Sequence, residues 1–220
     1  MLMKQRAERQ QQDRLHIFHM ERERQGDEVP EEICRIIDEA LDSIPMTEQV
    51  NIAIDGVCGG GKSTLGQAIA KKYDGNLFHM DDFFLRPEQR TPERYALPGG
   101  NVDYERFQEE VLEHLSDKAG LTYRPFDCSR MELGSLRSAP YRRLNIIEGS
   151  YSCHPYFGDI CQVKFFVDLP AEEQKARILI RNGEERYKRF MNEWIPMENR
   201  YFESCKIRDK CIRLSLFWDQ

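Results

Sequence analysis

The sequence predicts an α/β fold, a parallel sheet of five strands flanked by helices. Three observations lead there. Short apolar, β-branched runs alternate with segments of helical period; the first such run opens straight into a glycine-rich turn; and acidic residues close several of the runs. Strands that alternate with helices are joined by right-handed crossovers, which wrap helices over both faces of a parallel sheet.

The elements follow in order. Residues 1 to 28 are dense in Gln, Arg and Glu and read as a solvated tail or frayed helix, with Leu15, Ile17, Phe18 and Met20 as an apolar cluster. After Val29-Pro30, Ile33, Ile36, Ile37, Ala40, Leu41 and Ile44 recur at i, i+3, i+4 spacing, an amphipathic helix ended by Pro45. Val50 to Ile54 is the first strand. A helix starts at Ser63, with Leu65, Ile69 and Tyr73 on one face. Leu77 to Met80 is the second strand, and Tyr104 to Leu115 is a helix carrying Phe107, Val111 and Leu115 at steps of four. Leu144 to Ile147 and Val163 to Val167 read as buried strands. Ala171 to Arg181 is helical until Gly183 breaks it, and Cys211 to Leu216 completes five strands.

A chain of 220 residues suits one domain with a short appendage. The division expected is an N-terminal helical extension over 1–49 and a main domain over 50–220. The formal charge of −6 excludes the basic stripe of a nucleic-acid binder. No apolar run has the length of a membrane span, and the seven cysteines lack metal-ligand spacing, so reduced thiols in a cytoplasmic protein are expected. The N-terminal helix is a candidate for a homo-oligomer contact.

Gly56-Val-Cys-Gly59-Gly60-Gly61-Lys62-Ser63 fits G-x-x-x-x-G-K-[ST] at every required position, with Thr64 continuing into the helix. Glycines let the backbone curl until successive N–H groups point inward at phosphate oxygens. The helix that follows adds partial positive charge at its N-terminus. Lys62 is expected to reach the β and γ phosphates of ATP, and the Ser63 hydroxyl to ligate Mg²⁺.

Chemistry on such a loop needs further groups, and these are sought at the carboxyl ends of the strands. Asp81 and Asp82 follow the second strand, where a carboxylate serves either as general base for an attacking hydroxyl or as a turn former. Glu148 and Asp168 each close an apolar strand and compete for the metal-side role. Asp103 stands at a helix start, as cap or as ligand to a substrate hydroxyl. Lys175, Arg177, Arg181, Arg186, Lys188 and Arg189 form either a basic lid over phosphates or a solvated surface.

Taken in this order, the segments resemble the uridine kinase family of P-loop kinases, related to phosphoribulokinases. The resemblance runs from about Val50 to Phe202. It rests on Asp81-Asp-Phe-Phe84, Asn101-Val-Asp103, Glu148-Gly149, and the Arg-rich segment followed by Trp194, Pro196 and Tyr201-Phe202. It implies a P-loop NTPase sheet under a helical lid at about 177–200, with ATP and Mg²⁺ as cofactors. It also implies Asp81 as the base that deprotonates a ribose 5′-hydroxyl, Asp103 on the ribose hydroxyls, Glu148 on the metal side, and Arg177 and Arg181 as lid arginines. Where uridine kinases carry a Tyr and a His against the pyrimidine, this chain offers Phe126 in Tyr123-Arg-Pro-Phe126-Asp127 and no nearby His. The Asp81-Asp-Phe-Phe84 segment is also similar to nicotinamide riboside kinases. The acceptor expected is a small molecule, a uridine- or cytidine-like nucleoside first and another riboside, sugar or polyol second. A regulatory ATPase without an acceptor is the rival; a GTPase is excluded by the lack of N-K-x-D.

Overall fold

The computed structural model describes residues 18–22 and 28–218. In chain order the strands are β1 (Phe18–Arg22), β2 (Val50–Gly56), β3 (Asn76–His79), β4 (Leu121–Tyr123), β5 (Phe126–Asp127), β6 (Glu132–Leu133), β7 (Arg137–Ala139), β8 (Leu144–Glu148), β9 (Val163–Asp168) and β10 (Ile212–Trp218). The α-helices are α1 (Glu31–Ser43), α2 (Lys62–Tyr73), α3 (Pro92–Ala96), α4 (Tyr104–Glu110), α5 (Ala171–Arg189) and α6 (Ile195–Ser204).

The five expected strands form one parallel sheet in the order β10-β9-β2-β8-β3. A sixth lies beyond them. Phe18–Arg22, expected as part of a tail or frayed helix, pairs in parallel with Leu214–Trp218 and lengthens the sheet at the β10 edge. An edge strand is held by backbone hydrogen bonds to a partner far along the chain, and helical periodicity carries no trace of that pairing.

Alternation along the central strands divides the core in two. Ile52 and Ile54 of β2, Ile146 of β8 and Phe165 and Val167 of β9 face one side, with Leu65 and Ile69 of α2. Ala53, Ile147 and Phe166 face the other, with Phe107 of α4 and Tyr201 and Phe202 of α6. Period-two side chains on strands covered on both faces produce this arrangement. Helix α1 belongs to the first layer: Ile33 and Ile37 are fully buried against the sheet. Burying each stabilises the fold by about 1.5–3 kcal/mol. The apolar stripe of α1 thus packs on the chain's own sheet.

Helix α4 stops at Glu110, earlier than the periodicity suggested. Val111 has φ −119° and ψ −61°, and a 3₁₀ turn over Leu112–His114 replaces the expected last turn. Between α4 and β8 the chain folds into two small antiparallel pairs, β4 with β7 and β5 with β6. The break expected after α5's first turns is present: Gly183 has φ 78° and ψ 169° inside the helical run. A π-helical turn over Phe190–Trp194 then leads into α6. All seven cysteines are free, and among the described residues no helix is long and apolar enough to cross a membrane.

Candidate active site

The glycine-rich loop leaves the end of β2, the sheet's centre, and enters α2. At Gly56, φ is +136° and an added Cβ would lie 2.1 Å from the Val167 carbonyl oxygen of β9, so glycine is required. Gly61, at φ 93°, is the N-cap of α2. Gly59 and Gly60 complete the curl, and an added Cβ at Gly60 would lie 2.9 Å from the Val57 carbonyl oxygen. Lys62 opens the helix and is buried. Its Nζ donates to the carbonyls of Gly56 at 2.8 Å and Val57 at 2.9 Å, and to Ser150 Oγ at 3.3 Å.

Register sets the acids beside this loop. Ile54 of β2 pairs with Glu148 of β8, and Glu148 pairs with His79 of β3. Three neighbouring strands therefore end together next to the start of α2. The Ser63 hydroxyl donates to Glu148 Oε2 at 3.1 Å, and His79 Nδ1 is hydrogen-bonded to Oε1. That bond to Glu148 is the main cause of a raised His79 pKa. Asp168, the competing acid, ends β9 on the other side of β2. It pairs with Arg213 at 2.8 Å and Arg208 at 3.4 Å. Glu148 is the acid that the fold puts beside Ser63.

Asp81 lies in the 3₁₀ turn over Met80–Phe83 that follows β3. Its side chain is exposed to water at the end of the strand. Desolvation first, and the charge of Glu148 second, raise its pKa above the ordinary carboxylate value; Lys62 and His79 oppose the rise. Asp82 turns the other way, to Arg137 at 2.7 Å. With Phe126, Asp127 and Arg137 it lines a hollow of ≈ 340 Å³. Phe126 is itself buried, 5.5 Å beneath the Arg90 guanidinium.

The remaining expected residues are placed as follows. Asp103 caps α4, its carboxylate accepting the Arg106 N–H at 3.2 Å. Only 1% exposed, it lies beneath Arg86 and Arg106, whose Nε atoms are 3.7 and 3.6 Å from Oδ2. Arg177 lies along the loop: an added Cβ at Gly59 would be 3.8 Å from its Cβ, and its Nε donates to Glu173 at 2.8 Å. Arg181, a turn further, is exposed and bonds its neighbour Asn182. Thr64 is half-buried in the first turn of α2.

Sequence reasoning gave no role to Asp55, Ser150 or Glu198. Asp55 is fully buried at the end of β2. It accepts the N–H groups of Gly56 at 2.7 Å, Tyr151 at 3.2 Å and Cys153 at 3.0 Å, and the Tyr201 hydroxyl at 2.8 Å. An acid interrupting an apolar strand just before Gly56 was the available signal, because such a group needs partners. Ser150 and Glu198 carried no comparable signal.

The donor set fits Mg²⁺. Among the described residues there is no group of three or more His, Cys, Asp and Glu that would hold a metal by itself. Mg²⁺ prefers oxygen ligands, keeps several waters and takes the rest of its shell from phosphates. Ser63 and Glu148 would hold such an ion, and the glycine curl with Lys62 would hold the phosphates.

This is the P-loop kinase form of the α/β fold, and comparison with known proteins agrees. A possible uridine kinase from Bacillus stearothermophilus superposes with a TM-score of 0.62 at 18% identity, covering 84% of this chain and 98% of its own. D-glycerate 3-kinase from Cryptococcus neoformans superposes at 0.54 with 12% identity, covering 75% and 84%. No family model matches the chain, and no curated protein sequence does. At such identities the likeness is one of fold.

Proposed function

We propose that the protein is an ATP-dependent kinase that transfers the γ-phosphoryl group to a hydroxyl of a small molecule, a nucleoside of the uridine or cytidine type first. The observation that carries this reading is the position of Asp81. It is exposed in the turn that directly follows β3, two residues after His79, whose ring is bonded to Glu148 beside Ser63. An acceptor hydroxyl bound there gives its proton to the Asp81 carboxylate as its oxygen attacks the γ-phosphorus. The bond to the β,γ-bridging oxygen breaks and ADP leaves. Bound Mg²⁺ would neutralise phosphate charge. Lys62 holds the phosphates, Ser63 and Glu148 are oriented by the loop and by His79, and Arg177 lies beside the loop to oppose charge on the transferring group.

The hollow lined by Asp82, Phe126, Asp127 and Arg137 supports a second reading of the acceptor, as another riboside, a sugar or a polyol. It offers a ring and hydrogen-bonding groups but no histidine. A coupled assay of ADP release across nucleosides, nicotinamide riboside, sugars and polyols tests both. Acceptor-dependent ADP release with one class assigns it. ADP release indifferent to every acceptor would replace the kinase with an ATPase.

A further inference from the structure

Glu198, on α6, has no part in the transfer described above, yet it is 7% exposed and lies against the phosphate loop. Its Oε2 accepts the Cys58 N–H at 3.1 Å, and its Oε1 accepts the Ser150 hydroxyl at 2.6 Å. Ser150 Oγ in turn accepts a hydrogen bond from Lys62 Nζ at 3.3 Å. A chain of bonds thus runs from the loop's ammonium group through one hydroxyl to a buried acid 136 positions later in the sequence (198 − 62). Burial penalises the charged form of Glu198, and the positive charge of Lys62 is the largest influence opposing that penalty. The Cys58 thiol from the loop and Tyr151 from the turn after β8 also face it. A buried acid is retained at such a cost only with partners; here they are the Cys58 N–H and the Ser150 hydroxyl, and through that hydroxyl the acid is linked to the cation that a triphosphate also needs.

We propose that Glu198 is an internal anion that competes with the phosphates of ATP for Lys62 and so sets how tightly the loop holds them. The inference rests on the phosphate-binding reading above. Two anions that share one ammonium group repel each other and divide its charge. Removing the protein's share therefore favours the nucleotide. Because Glu198 also holds a loop amide from α6, the affinity of the loop is coupled to the helix that follows the lid segment.

The test is calorimetric titration of wild type, Glu198→Gln and Ser150→Ala with MgATP and with AMP, alongside thermal melts. Gln keeps the size and one of the two accepting oxygens, which can stay on the Cys58 N–H while its amide NH2 donates to Ser150 Oγ, whose own hydroxyl can turn to the Gly56 carbonyl; the charge is lost. Glu198→Gln should bind MgATP on the order of tenfold tighter while AMP, which lacks the β and γ phosphates, binds as before. Ser150→Ala, which cuts the link between Lys62 and Glu198, should shift MgATP in the same direction by a smaller factor. It carries the comparison alone if Glu198→Gln does not fold. Unchanged or weaker MgATP binding in the variants overturns the inference, as does an equal change for both nucleotides, which marks a packing role. Wild-type protein that binds no MgATP would instead remove the kinase reading itself.

Discussion

Ser63 and Glu148, 85 positions apart in the chain, meet at 3.1 Å where the start of α2 abuts the end of β8. His79 takes the second oxygen of the same carboxylate, so Glu148 is held on both sides and cannot turn away from the serine. A carboxylate fixed in this way offers Mg²⁺ a ligand whose orientation is already set. Replacing Glu148 with Gln should raise the Mg²⁺ concentration needed for half-maximal turnover by about 10- to 100-fold. An unaltered Mg²⁺ dependence would take Glu148 out of the metal site.

Asp81→Asn should lower kcat by about 10²- to 10⁴-fold, the usual worth of a positioned general base, and leave MgATP binding close to that of the wild type. Single-turnover kinetics and calorimetry measure the two separately. Undiminished turnover would remove Asp81 from the mechanism.

The pH dependence follows from the same residue. Its pKa is raised by desolvation and by Glu148, and as a base it works ionised. Activity should therefore fall as pH drops through a value above the ordinary range for Asp. Glu148→Gln removes one of the causes, so the acid limb of kcat/KM should move to lower pH in that variant. A limb that stays in place would show that another group controls it.

Lys62→Ala removes the loop's ammonium group and should weaken MgATP binding by at least about tenfold, since one lost charge-assisted hydrogen bond is worth roughly 1.5–3 kcal/mol. Titration calorimetry provides the number. An equal affinity in the variant would argue against phosphate binding at this loop.

Tyr201→Phe deletes one of the four donors to the buried Asp55. Leaving that carboxylate short of a partner should cost about 1–3 kcal/mol, which lowers Tm by roughly 2–4 °C for each kcal/mol in a protein of this size. Ile37→Ala in α1 should cost about 2–5 kcal/mol, because the side chain is fully buried against the sheet. A melt unmoved by Ile37→Ala would mean that α1 is an appendage after all.

The loop was legible because its requirements are local. A backbone that must curl around phosphate needs glycine at fixed positions, and the lysine and serine that follow are fixed by the first turn of the helix. The strands were legible for a similar reason: a strand buried on both faces is an apolar run. The place of Asp81 at the end of a strand was legible because it directly follows such a run. The end of α4 at Glu110, the strand Phe18–Arg22 and the burial of Asp103 beneath Arg86 and Arg106 were not found. Each depends on what a segment meets across space.

The sequence by itself determined the glycine-rich turn, the parallel α/β layering and the set of acids available for chemistry, since these follow from residue type and period along the chain. The choice among those acids belonged to the tertiary structure. Sheet register sets Glu148 beside Ser63 and leaves Asp168 to Arg208 and Arg213. The return of α6 to the loop gives Asp55 its tyrosine and Lys62 its distant carboxylate. Spacing along a chain limits which side chains can share a helix or strand face, but partners far apart in sequence are chosen by how the layers pack.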